Sequence, residues 1–225
     1  MRNKLTYRLC GFLYILTCST FLVRNSLIGG LIDTENIFNT FKLVLDNASL
    51  YRLVIFIDFM GVVALMALVI TLFHILKPIN QYLALLALGW RIGEVVILAV
   101  SKIDDFLILT LSQQVALSPG SGIAELNYLG QILISRSAQG VLLAMVFFSI
   151  GSIFYNILFY KSKAIPFFLA ILGLIGAALA TISAILSIII DLPPDIALGA
   201  WAPIILFEFI LGFYLIIWGM KKEIS

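Results

Sequence analysis

The sequence predicts an all-α integral membrane protein: a bundle of six transmembrane helices with short amphipathic helices capping the outer face. Of its 225 residues, 62% are hydrophobic and 12% are charged, whereas about a quarter of the residues in an average soluble domain are charged. The mean hydropathy is +1.14. The apolar residues also fall into six runs, each about as long as the ~20 residues that cross a bilayer core of ~30 Å.

The six runs define a single transmembrane domain over residues 1–225, with spans of approximately 9–32, 51–76, 81–100, 138–160, 165–190 and 197–220. Lys77-Pro78 follows the second span and Asp191-Leu-Pro-Pro-Asp195 separates the last two. Proline cannot continue the helical hydrogen-bond ladder, so these sites end helices. Small residues recur in the fifth span at three- and four-residue spacing, which favours close packing of helices.

Two connectors contain helical patterns that are too short to span a membrane. After Asp33-Thr34, apolar residues recur at helical spacing, so we expect a short helix on the outer interface, capped by Asp33 or Thr34. Residues 101–136 show a similar pattern, interrupted by Ser118-Pro-Gly-Ser-Gly122. This second pattern predicts two short helices on the outer face, or a long third helix and one cap.

The basic residues are divided unevenly between the two sides of the spans. One side has four, namely Lys42, Arg52, Lys102 and Arg136. The other side has eight, namely Arg2, Lys4, Arg8, Lys77, Lys161, Lys163, Lys221 and Lys222. Cytoplasmic loops are enriched in Lys and Arg, so both termini are predicted to be cytoplasmic, in a multi-pass protein of the cell inner membrane. A cleaved signal peptide is the alternative for the first span, but no clear small-x-small cleavage site precedes Arg24.

Other classes of protein are disfavoured. A formal net charge of +2 without a run of basic residues argues against nucleic-acid binding. Cys10 and Cys18 are eight residues apart in one predicted helix and cannot form a disulfide with each other. The single histidine, His74, has no Cys or His cluster around it, so we expect no metal and no cofactor. No catalytic motif is present, so we expect no enzymatic activity.

Four charged residues inside the predicted spans are the candidate binding residues: Asp58, Arg91, Glu94 and Glu208. A charge at the bilayer centre costs roughly 2.5 to 3.5 kcal/mol even on insertion scales, so it requires a partner or water. Arg91 and Glu208 both lie ~15 to 17 Å from the ends of their spans, at 1.5 Å per residue. We therefore expect a direct or one-water contact between them, with Glu94, three residues from Arg91, as the competing partner.

These four residues are expected to converge on one polar layer, one or two helical turns thick. Arg24 either extends to the far interface or reaches the edge of the layer as a second cation. Because the three carboxylates outnumber the cations certain to reach them, at least one carboxyl is expected to be neutral.

Two functions fit such a layer. The first is binding or transport-like passage of a small polar ligand or a proton, which a pocket lined by Asp58, Arg91 and Glu94 and open outward would favour. The second is a structural or signalling subunit in which static ion pairs only hold the helices in register. The lipid bilayer is the expected partner in both cases, and a protein partner is not indicated.

Several short stretches carry a family resemblance: Arg8-Leu-Cys-Gly11, Leu72-Phe-His-Ile-Leu-Lys-Pro78, Leu85 to Glu94, Gly151-Ser-Ile-Phe-Tyr155, Tyr160-Lys-Ser-Lys-Ala-Ile-Pro166, Phe207-Glu-Phe-Ile-Leu-Gly212 and Trp218-Gly219. Together they resemble the prokaryotic family called domain of unknown function 4386. The resemblance covers nearly the whole chain and implies a small multi-span inner-membrane protein. It implies that Asp58, Arg91, Glu94 and Glu208 are recurrent polar positions, whereas Arg24 matches none, and it supplies no activity.

The orientation predicts the behaviour of topology reporters. A reporter active only in the periplasm should be inactive when fused after Ser225, because the C-terminus is predicted to be cytoplasmic. The same reporter inserted between Ser118 and Gly122 should be active. Reporter activity in cells measures both, and the reverse pattern would contradict the predicted orientation.

Overall fold

The computed structural model describes residues 2–117, 122–190 and 192–221, which form seven α-helices and no strand. In chain order these are α1 (Arg2–Ile28), α2 (Ile37–Asp46), α3 (Ala48–Leu76), α4 (Gln81–Leu117), α5 (Ile123–Ser162), α6 (Phe167–Ile189) and α7 (Pro194–Ile217). All except α2 are long and apolar enough to cross a membrane. The predicted fold class, an all-α bundle with six spans, is therefore confirmed.

The short helix α2 confirms that the first connector contains a helix, and its position on the outer interface stays a prediction. Ile37, Phe41 and Val44 are buried while Phe38 and Lys42 are exposed, so the helix has one apolar face turned into the protein.

The predicted cap of α2 was wrong. The N-cap is Asn36, whose side chain accepts a hydrogen bond from the Asn39 amide at 3.1 Å. Asp33 instead stabilises the preceding turn, because its carboxylate accepts hydrogen bonds from the Asn39 side chain and from the backbone amides of Asn36 and Glu35. These hydrogen bonds, first of all the one from Asn39, hold the pKa of Asp33 below its ordinary value of 3.8.

For residues 101–136, the alternative of a long third helix is confirmed, whereas the predicted caps were wrong because residues 123–136 form the first part of α5. Helix α4 continues through 37 residues to Leu117, and α5 begins at Ile123 and has 40 residues. The polar residues that suggested an end near residue 100 do not interrupt the helix, since Ser101, Asp104 and Asp105 are buried inside the protein. The first helix-breaking residue is Pro119, which lies outside the described residues.

The chain divides into two compact units. The first unit comprises Met1–Cys18, Val63–Val96 and Leu142–Ser225, and the second comprises Ser19–Val62 and Ile97–Val141. In the second unit, three helices and the segment after α1 form a hydrophobic core, namely Leu31, Val44, Tyr51, Ile55, Ile108 and Leu109. Leu133 and Ile134 of α5 pack against it. The organisation as a single domain stays a prediction.

Close backbone packing dominates the first unit. A Cβ added to Gly176 in α6 would lie 2.7 Å from the amide nitrogen of Ile204 in α7. The small residues of α6 are buried, as predicted: Gly173, Gly176, Ala177, Ala180 and Ala184. Helices α1 and α7 approach equally closely, since a Cβ on Gly11 would lie 2.5 Å from the carbonyl oxygen of Gly212.

Replacing Gly11 by alanine should therefore destabilise the protein by about 1 to 3 kcal/mol, because the new methyl group meets backbone that cannot rotate away. Gly89 in α4 is the matched control, since nothing lies within 4 Å of a Cβ built there. Gly89→Ala should be neutral or stabilising by up to ~1 kcal/mol, as expected for alanine in a helix. Free energies of unfolding in detergent measure both changes, and equal losses would contradict the close contact between α1 and α7.

Candidate functional site

An ion pair within α4 forms the centre of the first unit's polar cluster. Arg91 is 2% exposed and Glu94 is 5% exposed. Arg91 Nε lies 3.1 Å from Glu94 Oε2, three residues further along the same helix face. The two charges are therefore buried together in the middle of an apolar helix.

Helix α5 holds the Arg91 side chain from the other side. The guanidinium carbon lies 4.4 Å from the centre of the Phe148 ring, a cation–π contact, and Nη1 lies 3.4 Å from Ser152 Oγ. Between these residues, Gly151 leaves room for the arginine, since a Cβ there would lie 2.8 Å from Arg91 Cγ. A glycine in α5 thus allows the long side chain to cross against the neighbouring helix.

Glu208 in α7 is partly buried and accepts a hydrogen bond from the Cys18 thiol of α1, with a sulfur–oxygen distance of 3.5 Å. Glu208 and Arg91 attract each other electrostatically. The ion pair of Arg91 is with Glu94, however, so the predicted direct contact between Arg91 and Glu208 was wrong. Equal depth in two helices does not fix how far each helix is rotated about its axis, and Arg91 is turned toward α5. A one-water contact stays a prediction.

The Arg91–Glu94 pair is close but incompletely hydrogen-bonded. Arg91 Nε and Glu94 Oε2 are buried and make no hydrogen bond within the described part of the chain, although they are 3.1 Å apart. The N–H group therefore does not point at the carboxylate, and the attraction between them is mainly coulombic. Together with Glu208, the cluster contains one guanidinium and two carboxyl groups.

Asp58 belongs to a different cluster, in the second unit. Its Oδ2 atom lies 2.9 Å from Arg24 Nε and 3.0 Å from Lys102 Nζ. Arg24 Nη2 also lies 3.9 Å from Asp105 Oδ2. The four residues, from α1, α3 and α4, thus combine two cations with two carboxylates.

The sequence predicted this second cluster only in part. The Arg24 side chain is 16% exposed and pairs with Asp58, one of the residues of the predicted layer. Lys102 and Asp105 were assigned to a connector and were missed, as was the ion pair of Arg136 with buried Asp104. The apolar helical spacing that continues past residue 100 without Pro or Gly was the signal that could have placed them inside a helix.

The structure therefore brings Arg91, Glu94 and Glu208 together in the first unit and places Asp58 with Arg24, Lys102 and Asp105 in the second. Convergence of all four predicted residues on one layer, and a pocket lined by Asp58, Arg91 and Glu94, stay predictions. A groove of about 490 Å³ in the first unit is lined by apolar or uncharged residues, namely Tyr82, Leu85, Leu86, Gly89, Trp90 and Phe147. Within the described ranges, no group of three or more His, Cys, Asp or Glu residues could hold a metal ion.

Six membrane-spanning helices with two buried ionic clusters define a multi-pass membrane protein. The model of the DUF4386 family, described as a domain of unknown function, matches residues 9–219. This match covers most of the chain, which therefore belongs to the DUF4386 family. No curated protein and no solved structure matches the chain.

The geometry predicts that Arg91 is coupled more strongly to Glu94 than to Glu208. Arg91→Met should cost about 3 to 5 kcal/mol, because it leaves a buried carboxylate unpaired. Adding Glu94→Gln should recover part of this loss, with a coupling energy of about 0.5 to 3 kcal/mol. The matched cycle with Glu208→Gln should show weaker coupling, and both cycles are measured as free energies of unfolding in detergent. Additive losses for Arg91 and Glu94 would contradict the assigned pair.

Proposed function

We propose that the cluster of Arg91, Glu94 and Glu208 binds a proton or a small polar ligand, in a binding or transport-like role. The observation that supports it most is the charge count, since a single buried guanidinium pairs with one carboxyl group, Glu94, and interacts electrostatically with a second, Glu208. An ionised carboxylate without a partner is costly inside a membrane protein, so the second carboxyl group is neutralised by a proton or by a bound cationic group. Ionisable groups in membrane spans commonly line ion or substrate pathways.

Incomplete hydrogen bonding supports the same proposal. An unpaired buried polar atom costs free energy, which a bound ligand or water would recover. Arg91 Nε and Glu94 Oε2 make no hydrogen bond within the described part of the chain, so each can still engage a ligand or water. Asp105 Oδ2 in the second cluster also makes no hydrogen bond among the described residues, so this observation adds to the charge count and does not by itself separate the two clusters.

The second cluster favours the structural role for Asp58. Two cations, Arg24 and Lys102, approach one oxygen of Asp58 within 3.0 Å, and their charges balance those of Asp58 and Asp105. We propose that this cluster holds α1, α3 and α4 in register. Binding and static roles are thus assigned to different residues.

The distribution of basic residues supports a second proposal, about the membrane and the orientation of the protein. We propose that the chain lies in the cell inner membrane with both termini in the cytoplasm, on the strength of the uneven distribution of basic residues. A binding or transport-like role rather than catalysis is proposed.

Infrared spectroscopy of the purified protein tests the proposed neutral carboxyl group. Near neutral pH, the wild type should show a carbonyl band of a protonated carboxyl group that shifts in deuterated water. Glu208→Gln or Glu94→Gln should remove this band, because each takes away one of the two carboxyl groups that share one guanidinium.

Asp58→Asn is the matched control and should leave the band unchanged, since Asp58 is fully paired with two cations. A band that disappears only in Asp58→Asn, or a wild-type spectrum without a protonated carboxyl band, would overturn the proton-binding role.

A further inference from the structure

Three exposed lysines lie on the chain segments at the end of α5, before α6 and after α7, in the first unit. Lys161 is in the last turn of α5, and Lys163 lies in the turn that leads to α6. Lys221 follows α7, and its amide donates a hydrogen bond of 2.8 Å to the carbonyl oxygen of Ala164 in that turn. The chain segments that carry these lysines are therefore in direct contact, although Lys221 is about 60 residues from the other two.

Carboxylates do not neutralise these lysines within the described part of the chain. None of the ion pairs there involves Lys161, Lys163 or Lys221. The described acidic residues of the first unit are Glu94, Glu208 and Asp195. Glu208 precedes the end of α7 by more than two turns, and Asp195 lies in the first turn of that helix.

The turn itself is well defined by local hydrogen bonds. The Ser162 hydroxyl donates to the Phe159 carbonyl oxygen at 2.9 Å and accepts from the Ala164 amide at 3.2 Å. Lys163 adopts a φ of 55°, which is uncommon for a residue other than glycine. These constraints fix the direction in which the backbone presents Lys163.

Aromatic residues lie close to the same lysines along the chain, since Tyr160 and Phe167 flank the turn and Trp218 precedes Lys221 by three residues. Tyr160 and Phe167 pack across the turn with ring centroids 5.9 Å apart, and Tyr214 packs on Trp218 at 5.6 Å. Phe167 is 69% exposed and Trp218 is 68% exposed. Aromatic rings at the ends of membrane-spanning helices typically lie at the level of the lipid headgroups.

We propose that Lys161, Lys163 and Lys221 form a binding surface for the headgroup phosphate of an anionic phospholipid. The lysines supply positive charge that no carboxylate neutralises within the described residues, and the exposed rings at the ends of spanning helices contact the glycerol and upper acyl region of the same lipid. This proposal concerns residues separate from the buried cluster and does not depend on it. Each lysine near an anionic membrane surface contributes roughly fivefold in affinity.

Binding of short-chain phosphatidylglycerol to the full-length protein in detergent, measured by native mass spectrometry at fixed ionic strength, tests the proposal. The wild type should bind phosphatidylglycerol in preference to phosphatidylcholine of the same chain length. Lys163→Gln with Lys221→Gln should weaken phosphatidylglycerol binding by about 25-fold, and phosphatidylcholine binding should not change. Thermal unfolding in phosphatidylcholine checks that each variant is folded.

The control variant is Lys42→Gln with Arg52→Gln, which removes the same charge from exposed positions of the second unit. It should weaken phosphatidylglycerol binding less than twofold. Equal losses in both variants would show a diffuse effect of net charge, and displacement of the lipid by inorganic phosphate at the same ionic strength would show a site for a soluble anion. Either result, or equal binding of the two lipids, would overturn the proposal.

Discussion

The buried guanidinium of Arg91 constrains the first unit more than any other group, because a charge in an apolar helix needs partners that are themselves buried. Its neighbours meet this need in three ways: Glu94 supplies opposite charge, Phe148 supplies a ring face, and Ser152 supplies an oxygen. Gly151 is required sterically, since a side chain there would occupy the path of the arginine. The position of this one charged side chain therefore constrains how α4 packs against α5 in the first unit.

The two clusters differ in charge balance, and this difference distinguishes a structural role of buried ionic groups from a binding role. Asp58 has two cations, Arg24 and Lys102, within 3.0 Å. With Asp105 counted, the second cluster has two positive and two negative charges, as expected of a structural ion-pair network. Arg91, Glu94 and Glu208 contain an excess carboxyl group and hydrogen-bonding atoms without partners. Unpaired atoms occur in both clusters, since Asp105 Oδ2 also makes no hydrogen bond within the described part of the chain. Excess charge is therefore the difference between them, and because it costs stability we infer that binding, rather than helix packing, explains the composition of the first cluster.

The locations of the spans were predictable because hydrophobic length and helix-breaking residues act locally. The apolar runs ending at Lys77-Pro78 and Lys161-Ser162-Lys163 correspond to the ends of α3 and α5, and the amphipathic pattern after residue 36 corresponds to α2. The end of α4 was not predictable from polarity alone, since Lys102 pairs with Asp58 and Asp105 lies near Arg24. A polar residue ends a membrane helix only when it must reach water, and a tertiary partner removes that need.

The sequence by itself determined the class of protein and the number and order of the six spans, because these properties depend on composition and spacing along one helix. The tertiary structure decided which charges meet. Arg91 pairs with Glu94 of its own helix and not with Glu208 of α7, and Asp58 pairs with Arg24 and Lys102. Contacts between helices depend on how each helix is rotated about its axis. That rotation is fixed by contacts such as the approach of Gly11 to Gly212, between residues far apart in the chain. Depth can be counted in residues, whereas rotation follows only from packing.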